Sequence, residues 1–275
     1  MKKSGVFLSF VFLFCEGLSA AVIHVPSDYS TIQEAIDAAQ TWDNVVVAPG
    51  TYAESIVMKE KVDVTGSGTN VTTITSNGPV VRAASSSTLS GFTIVGKNSG
   101  IRCQDTTSFH VYDVVVDPVS ETGSGHSNVY GISLDNCAKA VIYNNTIGNI
   151  TENKWGYAVG IRITNSSDIV TYYNTIGNVT EDRWNHVAGI FVNNSSDITI
   201  LKNTIYNIHD KHWESAYGIH AAGTNLSLIN NLIYNVTETL QDNAYGIYSE
   251  GSSNTILNNR VVSRNLKCYF AKMRI

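Results

Sequence analysis

The sequence predicts an all-β chain folded as a right-handed parallel β-helix, a solenoid of three-strand coils with a capping helix at its N-terminal end. Three observations carry this. A Gly-Ile pair recurs at Gly131, Gly160, Gly189, Gly218 and Gly246, spaced by 29, 29, 29 and 28 residues. An asparagine recurs between them, at Asn145, Asn174, Asn203, Asn231 and Asn259. Each copy holds three short apolar-alternating runs separated by Asn, Ser and Asp, which is a strand pattern with no room for helices of ordinary length.

One copy, GIRITNSSDIVTYYNTIGNVTEDRW, runs from Gly160 to Trp184. Its runs are Ile161–Ile163, Ile169–Tyr172 and Thr175–Val179. A repeat of three strands has too little inner face to be stable alone, so it must stack on its neighbours. Stacking at the ordinary strand spacing of about 4.8 Å makes ladders of equivalent residues. Ile132, Ile161, Ile190, Ile219 and Ile247 form one expected buried ladder, with Leu134, Ile163, Val192 and Ala221 beside it. Cys103 follows Gly100 in the same register and reads as a small buried hydrophobe. The recurring asparagines are expected at a corner, bonding by their amides to the coils above and below and accepting the left-handed turn conformation. In the less regular early coils Gly78, Gly91 and Gly100 are read as turns, and Asp113 as the corner residue.

The N-terminal end carries Lys2 and Lys3, an apolar run from Val6 to Phe14, and small residues Ser19, Ala20 and Ala21. This order predicts an export signal over residues 1–21, cleaved near Ala21. The run is too short to span a bilayer. Losing Lys2, Lys3 and Glu16 leaves the chain slightly more acidic than its full-length charge of −5, so no basic stripe offers itself to nucleic acid. Cys103, Cys137 and Cys268 remain, too few for a disulfide scaffold. The expected organisation is one domain over 22–275, with a capping helix near 31–42, irregular coils over 45–128 and regular repeats over 129–265. The protein is expected outside the cell or in the cell envelope.

The stretch from Ser30 to Gly68, STIQEAIDAAQTWDNVVVAPGTYAESIVMKEKVDVTGSG, resembles the opening of many secreted parallel β-helix proteins. These include the pectin-lyase-like group, the NosD-like carbohydrate-binding and sugar-hydrolase repeats, and pectin methylesterases. The resemblance covers nearly all the mature chain and implies a helix that plugs the first coil. The residues support such a helix independently, through a capping box of Ser30 and Gln33 and a shared apolar face of Ile32, Ala35, Ile36 and Ala39. Gln104-Asp105-Thr106 resembles a pectin methylesterase triplet, but it falls on an expected tight turn and the accompanying motifs are missing. Arg162-Ile163-Thr164 matches only part of the polygalacturonase set. The likeness therefore implies the fold and not an activity.

Two surfaces are candidates. The resemblance implies a groove along the first strand of each coil, whose outward positions include Arg102, Gln104, Ser133, Asp135, Arg162, Phe191, His220, Tyr248 and Glu250. Lyase chemistry needs a base for the proton beside a carboxylate and a cation for the charge that develops. Arg162, Asp135, Arg102 and His220 are the candidate catalytic set, with calcium as cofactor if the protein is a lyase. A solvated mixed face is the competing reading. The other surface is the long turn after the third strand. There Glu152-Asn153-Lys154-Trp155, Glu181-Asp182-Arg183-Trp184 and Asp210-Lys211-His212-Trp213 repeat an acid, a base and a tryptophan. Trp155, Trp184 and Trp213 are candidates for stacking on sugar rings, with Glu152, Glu181, Lys154 and Arg183 bonding hydroxyls. A ladder of tryptophans stacked on each other explains the same spacing. His209, His212 and Asp210 leave further ligands unspecified, so no metal site is assigned.

The expected function is polysaccharide binding without assigned catalysis. The alternatives are a polysaccharide lyase or glycoside hydrolase working in the groove, and a structural or adhesion module. The last coil runs into Asn265–Phe270 with little to cover its strand edges, which points to a folded-over tail, end-to-end self-association, or a longer parent chain.

Overall fold

The computed structural model describes residues 20–121, 127–183, 185–212, 214–239 and 243–262. Residues 1–19 of the expected export signal 1–21, Trp184, Trp213 and the tail from Asn265 to Phe270 lie outside the described residues. Among the described residues the strands form three parallel sheets of ten, eight and nine strands. One coil shows the design. Its first strand is Ala158–Thr164, its second Val170–Tyr172 and its third Thr175–Glu181, longer at the ends than the apolar runs alone.

Each coil pairs in register with its neighbours. Ile101, Ile132, Ile161, Ile190, Ile219 and Ile247 follow one another up the first sheet, and Cys103, Leu134, Ile163, Val192, Ala221 and Ser249 follow beside them. The isoleucines from Ile101 to Ile219 are completely buried, as the repeat requires. Gly100 belongs to this column and not to a turn, because Ser99 pairs with Tyr130 and Ile101 with Ile132. Small residues are needed here: a Cβ on Gly160 would come within 2.6 Å of the Gly189 carbonyl oxygen and 2.4 Å of Ile176.

The capping helix spans Ile32–Ala38. Its capping box is Thr31 with Glu34, one residue later than Ser30 with Gln33. The carboxylate of Glu54 accepts the next two free amides, from Ile32 and Gln33 at 3.0 Å each, so the helix start is satisfied from the following coil. Ile32, Ala35, Ile36 and Ala39 are buried against the first coil, as their spacing predicts.

At the second corner Asn145, Asn174, Asn203 and Asn231 are buried. Each amide nitrogen donates to the side-chain oxygen of the next asparagine, at 3.0, 3.0, 3.2 and 2.9 Å, the last to Asn259. Each also donates to a carbonyl of the preceding coil, Asn203 to Thr171 at 3.0 Å for example. These residues do not take the left-handed conformation. The residue before each does: Asp113, Asn144, Tyr173, Lys202, Asn230 and Asn258 all have φ between 51° and 57°. Asp113 is thus the turn residue before the corner, and Val114 stands at the corner itself, where its amide donates to Asn145.

Candidate functional site

The outward row of the first sheet is as the alternation predicts. Arg102, Ser133, Arg162, Phe191, His220 and Tyr248 are successive partners, with Gln104, Asp135, Thr164, Asn193, Ala222 and Glu250 in the next row. Arg102, Asp135 and Arg162 line one hollow of about 400 Å³, together with Tyr130, Ser133 and Asn128. Arg162 donates to the Ser133 hydroxyl at 3.3 Å and stands 4.0 Å from the Asp135 carboxylate, with its guanidinium 5.2 Å from the centre of the Tyr130 ring. Asp135 also accepts from Thr164 and Asn165, at 3.1 and 2.9 Å. Arg102 donates to Gln104 at 2.7 Å and is otherwise exposed.

His220 does not join this group. Phe191 lies between it and Arg162 in the row, so the two are about 10 Å apart at ordinary strand spacing. The imidazole is stacked between Phe191 and Tyr248, with ring centres 4.8 and 5.1 Å away, and meets Tyr217 edge-on. Burial in this stack pushes the imidazole down to about 4, which makes it a neutral aromatic at ordinary pH.

Beside the arginines lies a second apolar cluster, separate from the solenoid core. Val159, Ala188 and Tyr217 are buried in it, and Tyr130, Tyr157, Phe191, Tyr245 and Tyr248 pack against them half-exposed. The row Tyr130, Val159, Ala188, Tyr217, Tyr245 sits immediately before the recurring glycine. Strict alternation from Gly-Ile would turn these residues inward. The pairing skips the glycine, alternation breaks there, and the row faces out. Burial raises the Tyr217 phenol to about 12 and the Tyr130 phenol in the same direction.

The acid–base–tryptophan stripe is divided. Glu152, Glu181 and Asp210 are fully buried, in register at the ends of the third strands. Each carboxylate turns in to accept the backbone N–H two residues on, from Lys154, Arg183 and His212 at 2.7, 2.6 and 2.7 Å. The acids therefore do not stand at the surface with their basic neighbours. Ion pairs run between coils instead: Lys154 meets Glu121 at 3.4 Å and Lys211 meets Asp182 at 3.3 Å. Trp155 is 42% exposed and Arg183 is exposed, so both remain on the surface. His209 bonds Thr237 at 2.7 Å. Among the described residues no three His, Cys, Asp or Glu side chains gather around a point that would hold a metal ion. Also among them, no helix is long and apolar enough to cross a membrane.

Stacked three-strand coils paired in register in three parallel sheets, with a helix at one end, define a parallel β-helix. Its family signature, the right-handed β-helix region, matches residues 56–233 and 119–267, and the chain belongs to that family. No curated protein matches the sequence. Solved structures similar to it include Geobacillus virus E2 ORF18, at 12% identity over 88% of this chain and 60% of that one, with a TM-score of 0.55. The Dettilon tailspike protein gp208 is similar at 15% identity over 88% and 62%, with a TM-score of 0.52. DFA-IIIase from Arthrobacter chlorophenolicus A6 without its lid gives 11% identity over 92% of both chains, also at 0.52. The chain thus spans about three fifths of the first two proteins' length, and at these identities the likeness is one of fold.

Proposed function

We propose that this protein binds an extended polysaccharide along the face of its first sheet, outside the cell or in the cell envelope. The observation that carries the reading is the second apolar cluster, Tyr130 to Tyr248, set on an open sheet face beside Arg102 and Arg162. An aromatic patch kept out of the core leaves half-exposed rings as an apolar surface against which sugars can pack, and the guanidinium groups favour hydroxyls or acidic substituents. Trp155, Lys154 and Arg183 lie on the turns that lead into the first strands, at the margin of this face. The export-type leader supports the extracellular setting.

Binding is favoured over turnover because His220 stands apart from the hollow that holds Arg102, Asp135 and Arg162. His220 is a neutral ring in an aromatic stack, and Asp135 is held by Arg162, Thr164 and Asn165. The test is to run the protein with acidic and neutral polysaccharides on a sizing column. Co-elution with an intact polymer, weakened at least tenfold by Arg162→Ala, is the expected result. Shortening of a polymer would instead make the protein a lyase or hydrolase. No association with any polymer would overturn the reading and leave a structural role.

A further inference from the structure

Two cysteines sit in the wrong ladders for their neighbours. On the first-strand ladder Cys103 is followed by aliphatic Leu134, Ile163, Val192 and Ala221, with a polar side chain only at the last rung, Ser249. Cys137 stands on a corner ladder whose neighbouring rungs carry hydroxyls, Thr106 before it and Ser166 and Ser195 after it, until Gly223 follows. The serines use their hydroxyls: Ser166 donates to the Thr164 carbonyl at 2.7 Å and Ser195 to that of Asn193 at 2.9 Å. A thiol is a weaker partner there, and Cys137 reaches the equivalent Asp135 carbonyl only at 3.5 Å. Neither cysteine improves its own ladder. What the two changes do together is bring two sulfurs into contact across adjacent coils, 3.0 Å apart and both buried. The Thr106 hydroxyl lies 2.6 Å from the Cys103 sulfur and 3.5 Å from that of Cys137.

We propose that Cys103 and Cys137 are joined by a disulfide that staples these two coils in the protein folded under oxidising conditions. The bond forms by exchange with a low-molecular-weight or protein disulfide as the second of these coils docks on the first, before the pair is sealed from solvent. The Cys137 thiolate attacks one sulfur of that oxidant and releases the other as a thiol, giving a mixed disulfide. The Cys103 thiolate then attacks Cys137, and the remaining half of the oxidant leaves as a second thiol. Two S–H bonds are lost and one S–S gained in the protein, while two electrons and two protons pass to the oxidant. The hydrogen bond between the two sulfurs lowers the Cys137 thiol and, with burial behind it, raises that of Cys103, which fits this order of attack. The proposal does not depend on any ligand in the groove.

Trypsin cleavage after Arg102 and Lys139 places both cysteines on one peptide, Cys103 to Lys139. The full chain is refolded in a mixture of reduced and oxidised glutathione, blocked with iodoacetamide without further reduction, digested and weighed. The expected peptide carries no alkyl tag and is lighter by two hydrogens, and it takes two tags once reduced. Two tags before reduction, or a peptide linked to Cys268, would overturn the proposal. Cys137→Ser supplies the hydroxyl that Ser166 and Ser195 already supply on that ladder, so it keeps the fold. Reductant is expected to lower the melting temperature of the parent by several degrees and leave that of Cys137→Ser unchanged. An equal response in both proteins would also overturn it.

Discussion

Asp210→Asn is expected to remove one large contribution to the pH dependence of stability. Asp210 is fully buried, one oxygen accepting the His212 amide at 2.7 Å and the other without a hydrogen-bond partner among the described residues. It lies in register between Glu181 and Glu238, with Glu214 also near enough to act on it. Burial, and then these neighbouring carboxylates, push its carboxyl up to about 7. An unfolded aspartate titrates near 3.9, so the difference is roughly 3 units, or about 4 kcal/mol. The folded state binds the proton more tightly, so stability is fully present below about pH 4 and is lost as pH rises toward 7. His220 works in the opposite sense. Its value of about 4 lies below the unfolded one near 6.5, so folding is disfavoured as pH falls through that window, by up to about 3 kcal/mol. The parent's own profile mixes the two and would look shallow between about pH 4 and 6.5. The difference between parent and Asp210→Asn isolates the aspartate, since His220 is common to both. Urea unfolding followed by circular dichroism at unit steps from pH 4 to 8 gives that difference. It should shift against the parent by about 4 kcal/mol across the range. A difference that stays constant, or moves in the parent's favour as pH rises, would refute the argument that the buried column holds a proton at Asp210.

Asn203→Ala removes an amide that bonds Thr171 and Asn231 and an oxygen that accepts from Asn174. Buried groups left unpaired cost about 1–3 kcal/mol each, so the unfolding free energy should fall by about 3 kcal/mol, read by urea denaturation. Gly160→Ala forces a methyl against the Gly189 carbonyl, where backbone must move. It should cost about 2 kcal/mol by the same measurement, and a neutral result would mean that the coils are more loosely stacked than their register implies.

The fold was legible because the repeat states one rule several times. Ile132 to Ile247 return at a fixed interval, and only a stack makes that interval useful. What was less legible lay where a residue's direction depends on its exact place in the coil. The early coils have no regular copy to align with, so Asp113 was read one position from its true equivalent, Asn144. The capping box moved by one residue because Ser30 and Thr31 both suit the start of a helix, and only the Glu54 carboxylate on the next coil fixes which amides stay free. The row before the recurring glycines, with tyrosine at three of its five positions, escaped detection because period-two alternation puts it inside. Its signal was present in the strings VYGI, AYGI and AYGI, in which a large aromatic sits beside a glycine that has no room for a side chain. The buried acids escaped for a related reason: next to Lys154 and Arg183 they look solvated, and nothing local shows that the backbone two residues on donates to them.

In a stacked solenoid each residue is judged against the copies above and below it. A row that serves the stack therefore repeats one chemistry, as the isoleucine ladder, the corner asparagines and the carboxylate column do. The outward row of the first sheet does not. It changes at every coil, from Arg102 through Ser133, Arg162, Phe191 and His220 to Tyr248, although the strands beneath it stay in register throughout. Neighbouring coils place no demand for that variety, and a mixed row gives up the like-with-like stacking that the other rows use. Random drift on a solvated face would leave scattered polar side chains. Here the aromatic members gather with Tyr217 and Tyr245 at one end and the arginines with Asp135 at the other. Such a division of a single row into an apolar half and a charged half matches an extended ligand whose successive units differ in what they present. That is the physical reason for placing the proposed binding surface on this face and not on the more regular turns.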